Sequence, residues 1–405
     1  SPIRAVSGSA RSATARPGGG LRHMALKSSN RGQVPPFIVM DVMRAAEERE
    51  RAGEKIFHLE VGQPGTSAPS KVIEAARQAL DQERIGYTNA LGMWGLREAI
   101  ARHYGRAYGV AVDAEDVVVT TGSSGGFVLS FMAAFDPGDR VALASPGYPA
   151  YRNILTGLGV EVIDLPTTLE DNFQPTVARL KALDQDPDGL IVASPSNPAG
   201  TMIAPAEFKA LVDHCRERGI RLISDEIYHG ITYGVPGVTA LAHTRDAVVI
   251  NSFSKYYSMT GWRLGWMVVP KDLHRAIECL AQNLFISPPG ISQHAGMAAF
   301  DCTEELEANV RHYARNRALL LDKLPKAGFT RLAPAEGAFY IYADVSDLTN
   351  NSTEFCRRML AEVGVAATPG VDFDPTRGDH FVRFSFAGGE DEVSQAADRL
   401  VSWQR

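Results

Sequence analysis

A chain of 405 residues, 45% hydrophobic and 22% charged, has room for two domains and a large core. Its net charge of −6 gives no bulk attraction to nucleic acid or to an anionic membrane, so neither is expected as a partner. The four cysteines (Cys215, Cys279, Cys302 and Cys356) are dispersed and form no C-x-x-C pair, which argues against a zinc or redox site and suits a reducing, cytoplasmic setting.

Residues 1–30 are rich in Ser, Ala, Gly and Arg, contain no Asp or Glu, and lack hydrophobic periodicity. They are expected to be a disordered tail or leader outside the fold. Residues 37–51 read as a helix stopped by Gly53, 55–59 as a strand, 71–82 as a helix, and 97–108 as a helix followed by Gly109. Residues 117–135 carry no charge, yet their Gly- and Ser-rich middle makes them a buried strand, a loop and a helix start rather than a lipid span. Short β-branched runs follow at 141–143, 160–163, 190–192, 221–223, 248–250 and 266–269, most of them separated by amphipathic helices such as 206–218. That alternation predicts an α/β fold with a mostly parallel sheet covered by helices on both faces. From about residue 304 the pattern changes to a long helix, strands near 339–342 and 381–385, and helices near 354–363 and at the end. The division expected is a large domain over 57–303 and a smaller α+β domain built from 31–56 and 304–405.

Ligands of such sheets bind at the carboxyl ends of the strands, and the polar residues of interest fall there. Lys255 stands in Ser252-Phe253-Ser254-Lys255, followed by Gly261-Trp262-Arg263. A lysine that holds an aldehyde as a Schiff base needs an acid for a pyridine nitrogen, a donor for a phenolate oxygen, and a cation with hydroxyls for a phosphate. Asp225, in Ser224-Asp225-Glu226-Ile227-Tyr228, is the acid; Asn197 and Tyr228 are donors; Ser252, Ser254 and Arg263 form the phosphate cradle. Gly122-Ser123-Ser124, at a strand-to-helix turn, adds backbone N–H groups. Tyr148 follows a strand and is placed to stack on a ring. Arg383 lies in an apolar run and needs an anionic partner; without an acid of the protein beside it, a substrate carboxylate is the candidate. These features predict pyridoxal 5'-phosphate as cofactor.

Together the segments resemble the class I/II aminotransferases, fold type I of the pyridoxal-phosphate enzymes, over about residues 34–405. Asn197-Pro198-Ala199-Gly200-Thr201 and Asp225-Glu226-Ile227-Tyr228 support the more specific Ser-x-Ser-Lys with Gly-x-Arg. The resemblance implies a seven-stranded sheet, Lys255 as Schiff-base lysine and proton shuttle, and catalytic support from Asp225 and Tyr228. It assigns Ser123, Ser124, Ser252 and Arg263 to the phosphate, and Arg383 with the Gly62 backbone and Asn197 to the substrate α-carboxylate. It also implies cis peptides at Ser194-Pro195 and Asn197-Pro198, and a homodimer in which Tyr87 reaches the neighbouring site. The expected reaction moves an amino group from an L-amino acid to a 2-oxo acid by a ping-pong route. Gly62-Gln63-Pro64-Gly65 lacks the acid many members carry, and Gly125-Gly126-Phe127 replaces a more usual run, so the substrate is left open. Phe37, Ile38, Phe339 and Tyr340 are candidate pocket residues favouring neutral or aromatic substrates.

Three other readings compete. A C–S β-lyase would use the same residues. A serine hydrolase would use the G-x-S-x-G at Gly122–Gly126, with Ser124, Asp225 and His380 in triad order, and leaves Lys255 unexplained. A non-catalytic ligand-sensing module would usually need a DNA-binding domain that the short, acid-free tail cannot make.

Overall fold

The computed structural model describes residues 25–405; most of the expected tail lies outside the described residues. Thirteen strands can be followed among the described residues: β1 Phe57–His58, β2 Val117–Thr120, β3 Arg140–Ser145, β4 Glu161–Pro166, β5 Gly189–Ala193, β6 Arg221–Asp225, β7 Val248–Ser252, β8 Gly265–Val268, β9 Arg331–Leu332, β10 Tyr340–Asp344, β11 Val365–Ala366, β12 Thr368–Pro369 and β13 Phe381–Ser385. The main sheet has seven strands in the order β2-β8-β7-β6-β5-β3-β4. Six run in one direction and β8 runs against both of its neighbours. The sheet is therefore mostly parallel, as the alternating pattern predicts. Its central strands are buried on both faces, which is why they read as unbroken Val, Ile and Leu runs rather than alternating ones.

Five helices matter for the site: α1 Ile38–Arg51, α2 Ser70–Gln82, α3 Trp94–Tyr108, α4 Gly122–Ala134 and α5 Pro149–Gly157. Helix α3 ends where Gly109 takes the left-handed conformation, at φ 65°. The uncharged segment 117–135 is β2 and α4 packed inside the protein, and no helix among the described residues is long and apolar enough to cross a membrane.

A second sheet, antiparallel, has the order β12-β13-β10-β9. The helix Thr303–Lys326 packs along the final helix Glu390–Ser402, and both contribute to the core beneath this sheet. The strand expected at 55–59 shortens to the two residues of β1, which pairs in parallel with β11 rather than joining the seven-stranded sheet. Phe57 N–H donates to Gly364 O at 2.8 Å and, just past the strand, Leu59 N–H donates to Ala366 O at 2.9 Å, while His58 N–H donates to Glu392 Oε1 at 3.0 Å.

Candidate active site

Parallel strands β5, β6 and β7 end in register, with Ala193 opposite Asp225 and Asp225 opposite Ile250. The loops leaving those ends open into a cavity of about 350 Å³. Ser123, Ser124, Tyr148, Asn197, Asp225, Tyr228, Ser254, Lys255, Arg263, Gly62 and Arg383 all line it. Residues from position 62 to position 383 thus converge on one space. Ser252 does not line it. Its hydroxyl is buried behind Ser254, bonding the Ser254 hydroxyl at 2.9 Å and the Leu264 carbonyl at 3.2 Å. Tyr87 also lies outside the lining and is 83% exposed.

One end of the cavity is built for an anion. Helix α4 starts at Gly122, whose φ of 75° a side chain would strain. A Cβ there would lie 2.6 Å from the Arg263 guanidinium, and one on Gly265 would lie 3.1 Å from Ser123 N. Glycine at 122 leaves room for the guanidinium beside the start of α4, and glycine at 265 lets the β8 backbone approach the same turn. Arg263 bonds the Thr260 carbonyl at 3.0 Å and makes no ion pair among the described residues. A cation without a carboxylate, next to a helix N-terminus and the Ser123, Ser124 and Ser254 hydroxyls, fits a phosphate.

The middle of the cavity holds opposite charges that burial has weakened. Lys255 donates to the Gly62 carbonyl, and burial, helped by Arg383 and Arg263, pushes its pKa down to about 8. Asp225 is pushed up to about 6, chiefly by burial, against the hydrogen bonds it accepts from the Tyr151 hydroxyl and the Ile227 N–H. A fully buried carboxylate without a cation at ion-pair distance is costly, and a protonated ring nitrogen would supply the missing charge. Tyr228 and Tyr340 share a hydroxyl–hydroxyl bond of 2.6 Å, and Lys255 Nζ lies 5.9 Å from the Tyr228 ring centroid.

At the far end Arg383 sits between the faces of Tyr340 and Phe373, 4.2 and 4.8 Å from their centroids. It donates to Asn197 Oδ1 at 2.8 Å and to the Glu60 carbonyl at 2.7 Å, and its Nε finds no partner. Every acceptor is neutral and no carboxylate among the described residues lies at ion-pair distance, although Asp372 attracts Arg383 through space; this buried cation thus lacks the direct acidic partner that a purely structural role would require.

The serine triad does not assemble. Ser124 lines the cavity, but His380 is exposed beside the second sheet and is not among the lining residues. Of the proposed pocket residues, Phe37 and Tyr340 line the cavity, whereas Ile38 and Phe339 do not. Phe339 is packed against Tyr228 and Tyr313 in the core, because successive residues entering β10 point to opposite faces. Sequence reasoning missed Tyr151, Val39, Met40, Met43 and Asp372. Tyr151 lies three residues after Tyr148 at the start of α5, and that helical spacing is a usable signal. Ser194-Pro195 and Asn197-Pro198 are cis, as is Ser145-Pro146.

The family model for "Aminotransferase class I and II" matches residues 54–400. A valine–pyruvate aminotransferase of Mycobacterium tuberculosis is 52% identical over 377 residues, covering 92% of this chain and 97% of the relative. Among solved structures, an aminotransferase from Mycobacterium tuberculosis superposes with a TM-score of 0.92 at 51% identity, covering 94% of this chain and 99% of the other. The aspartate aminotransferase of Thermus thermophilus with maleate gives a TM-score of 0.87 at 32% identity, covering 93% and 99%.

Proposed function

This chain belongs to the class I and II aminotransferases and transfers an amino group from an amino acid to a 2-oxo acid; from that premise we propose that it is a pyridoxal-phosphate enzyme acting on a neutral L-amino acid, with valine and pyruvate as the first pair to test. The observation that carries the cofactor reading is the partly buried Lys255, which lines the cavity with Arg263, a cation that has no ion-pair partner among the described residues, and with the fully buried carboxylate of Asp225. When bound, the cofactor supplies an electron sink for the pair of electrons left at the substrate Cα.

The chain's own groups divide the remaining work. Arg263, Ser123, Ser124 and Ser254 hold the phosphate, with Ser252 bracing Ser254 from behind. Asp225 pairs with the ring nitrogen and Tyr151 fixes the carboxylate that does so. Asn197 and Tyr228 would donate to the ring hydroxyl, and Tyr148 would cover the ring. Lys255 Nζ would hold the cofactor's carbonyl carbon and, once the substrate amine has displaced it, would take the proton from Cα and deliver it to that cofactor carbon across the intervening nitrogen; desolvation beside Arg383 and Arg263 favours the neutral amine this needs. Arg383 orients the substrate through its α-carboxylate, aided by the Gly62 backbone and Asn197. At Gly62 a Cβ would stand 3.0 Å from the Tyr340 hydroxyl, which accounts for glycine at that approach.

Val39, Met40, Met43, Val61, Ile227 and Phe373 give the substrate side of the cavity an apolar lining, which supports a neutral side chain. The strand pairing supports a cofactor-holding domain over 57–303 and a smaller one from 31–56 and 304–405, with β1 lent to the smaller. Exposed Tyr87 is assigned to the cavity of a second copy in a homodimer, and four unpaired cysteines suit a cytoplasmic setting.

The test is the visible spectrum of the purified protein. A yellow band that fades with L-valine and returns with pyruvate is the expected result. No band after adding pyridoxal phosphate would sink the cofactor assignment. Release of ammonia and pyruvate from cystathionine without an oxo-acid acceptor would favour the lyase instead.

A further inference from the structure

We infer that the Asp372 carboxylate excludes substrates carrying a second carboxylate, and so holds this enzyme to amino acids with uncharged side chains. The inference rests on the transamination reading with Arg383 as anchor of the α-carboxylate. It follows from counting charges in the cavity. The lining contains three cations, Lys255, Arg263 and Arg383, and two carboxylates, Asp225 and Asp372. Each cation already has a task in the proposed mechanism, and Asp225 is held by Tyr151 for the ring. Asp372 is the charge left over.

Its position is fixed. Asp372 Oδ1 accepts from Ile38 N–H at 3.0 Å and Oδ2 from Val39 N–H at 3.3 Å, so both oxygens are spent on the first turn of α1. That turn and the next carry Val39, Met40 and Met43, the apolar lining of the substrate side. A helix N-terminus attracts anions. Here the protein fills that place with its own carboxylate, 91% buried by its 9% exposure. The charged groups facing Asp372 are Arg383, which attracts it, and Asp41 on α1, which adds negative charge. A second substrate carboxylate directed toward α1 would meet a fixed like charge and no uncommitted cation among the described residues that line the cavity. Rejection by a like charge discriminates between substrates of nearly equal size, which an apolar surface alone does weakly.

Asp372→Asn removes the charge and keeps an oxygen for the N–H groups of α1. With pyruvate as acceptor, the ratio of kcat/KM for L-glutamate over L-valine is expected to rise about 30-fold, the effect of relieving one nearby like charge at moderate dielectric. Met40→Arg is a second route. Met40 is 58% exposed on the first turn of α1, so a longer cation is accommodated there and supplies the missing counter-charge. It should move the ratio in the same direction. Dissociation constants of glutarate and isovalerate, read from the cofactor absorbance of the holoenzyme, should shift in parallel without requiring turnover. A ratio unchanged within threefold in both variants, or wild-type protein already using glutamate as well as valine, would overturn the inference. If no amino acid and oxo acid exchange at all, the transamination reading fails; intact valine–pyruvate exchange with unchanged ratios fails only the role of Asp372.

Discussion

The two sides of the cavity are built in different ways. The side that would hold the cofactor comes from the carboxyl ends of β2, β3, β5, β6 and β7 and the segments after them, each giving a short polar segment on a buried strand. The side that would hold the substrate comes from α1, the segment after β1, Tyr340 on β10, the turn after β12 and Arg383 on β13, with apolar residues between two charged ones. The first is locked to a rigid sheet by register; the second is assembled by packing between the two ends of the chain. Changes on the sheet side should therefore strike the chemical step, and changes on the packed side should strike substrate affinity and choice.

Lys255→Ala gives the largest effect and the sharpest form of the comparison. Loss of the group that moves the proton should lower kcat by about 10⁴-fold, measured as single-turnover conversion of bound cofactor by L-valine. Added methylamine should restore part of that rate, because it replaces the missing amine without repairing anything else. Turnover at the wild-type rate would end the assignment of Lys255. On the opposite side, Arg383→Ala should raise KM for the amino acid about 100-fold, the loss of a charge-assisted bidentate contact. Cofactor affinity, followed by dialysis and absorbance, should change much less. Equal losses in both would break the division between the sides.

Legibility in the sequence followed the same division. The strands read clearly because a strand buried on both faces must be an apolar run, and the segments after β2, β3, β5, β6 and β7 were the ones that reached the cavity. The reversed direction of β8 left no trace, since Trp266-Met267-Val268 is as apolar as its parallel neighbours. Arg383 was legible as a charge inside an apolar run, and the acceptors around it are neutral. Met40 and Met43 were not legible. On an amphipathic helix such residues look like ordinary core positions, and only the packing of α1 over the cavity distinguishes them. Asp372 was hidden for a related reason: its partners are the Ile38 and Val39 N–H groups, more than 330 positions away.

Tyr151→Phe probes the support behind the sheet side. The Tyr151 hydroxyl donates to a fully buried Asp225, and removing it leaves that carboxylate with less reason to stay ionised, so its pKa moves further up. An ionised Asp225 is what attracts the ring nitrogen, and cofactor affinity should fall about tenfold near neutral pH. Recovery of affinity at higher pH is the accompanying sign. Unchanged affinity would show that Asp225 is held by its surroundings without Tyr151.

The smallest expected effect lies on the packed side, where His58 ties α1 to β1. Its Nδ1 lies 2.7 Å from Glu60 and its Nε2 lies 2.9 Å from Glu50, near the end of α1. The hydrogen bond to Glu60 is the main cause that raises the His58 pKa to about 9, against a desolvation that lowers it. A raised folded pKa means the folded protein binds the proton more tightly than the unfolded chain does. The stability it contributes is fully present below about pH 6.5, the unfolded value, and is lost as pH rises through 9. The ring is 25% exposed, so water screens part of the interaction and the effect is modest. Between about pH 6 and pH 9.5 the wild-type Tm should fall about 2 °C further than that of His58→Gln. Equal falls in the two proteins would mean that α1 is held by Asp372 and its apolar face alone, and that the Glu50–His58–Glu60 link adds nothing to the position of Met40 and Met43 over the cavity.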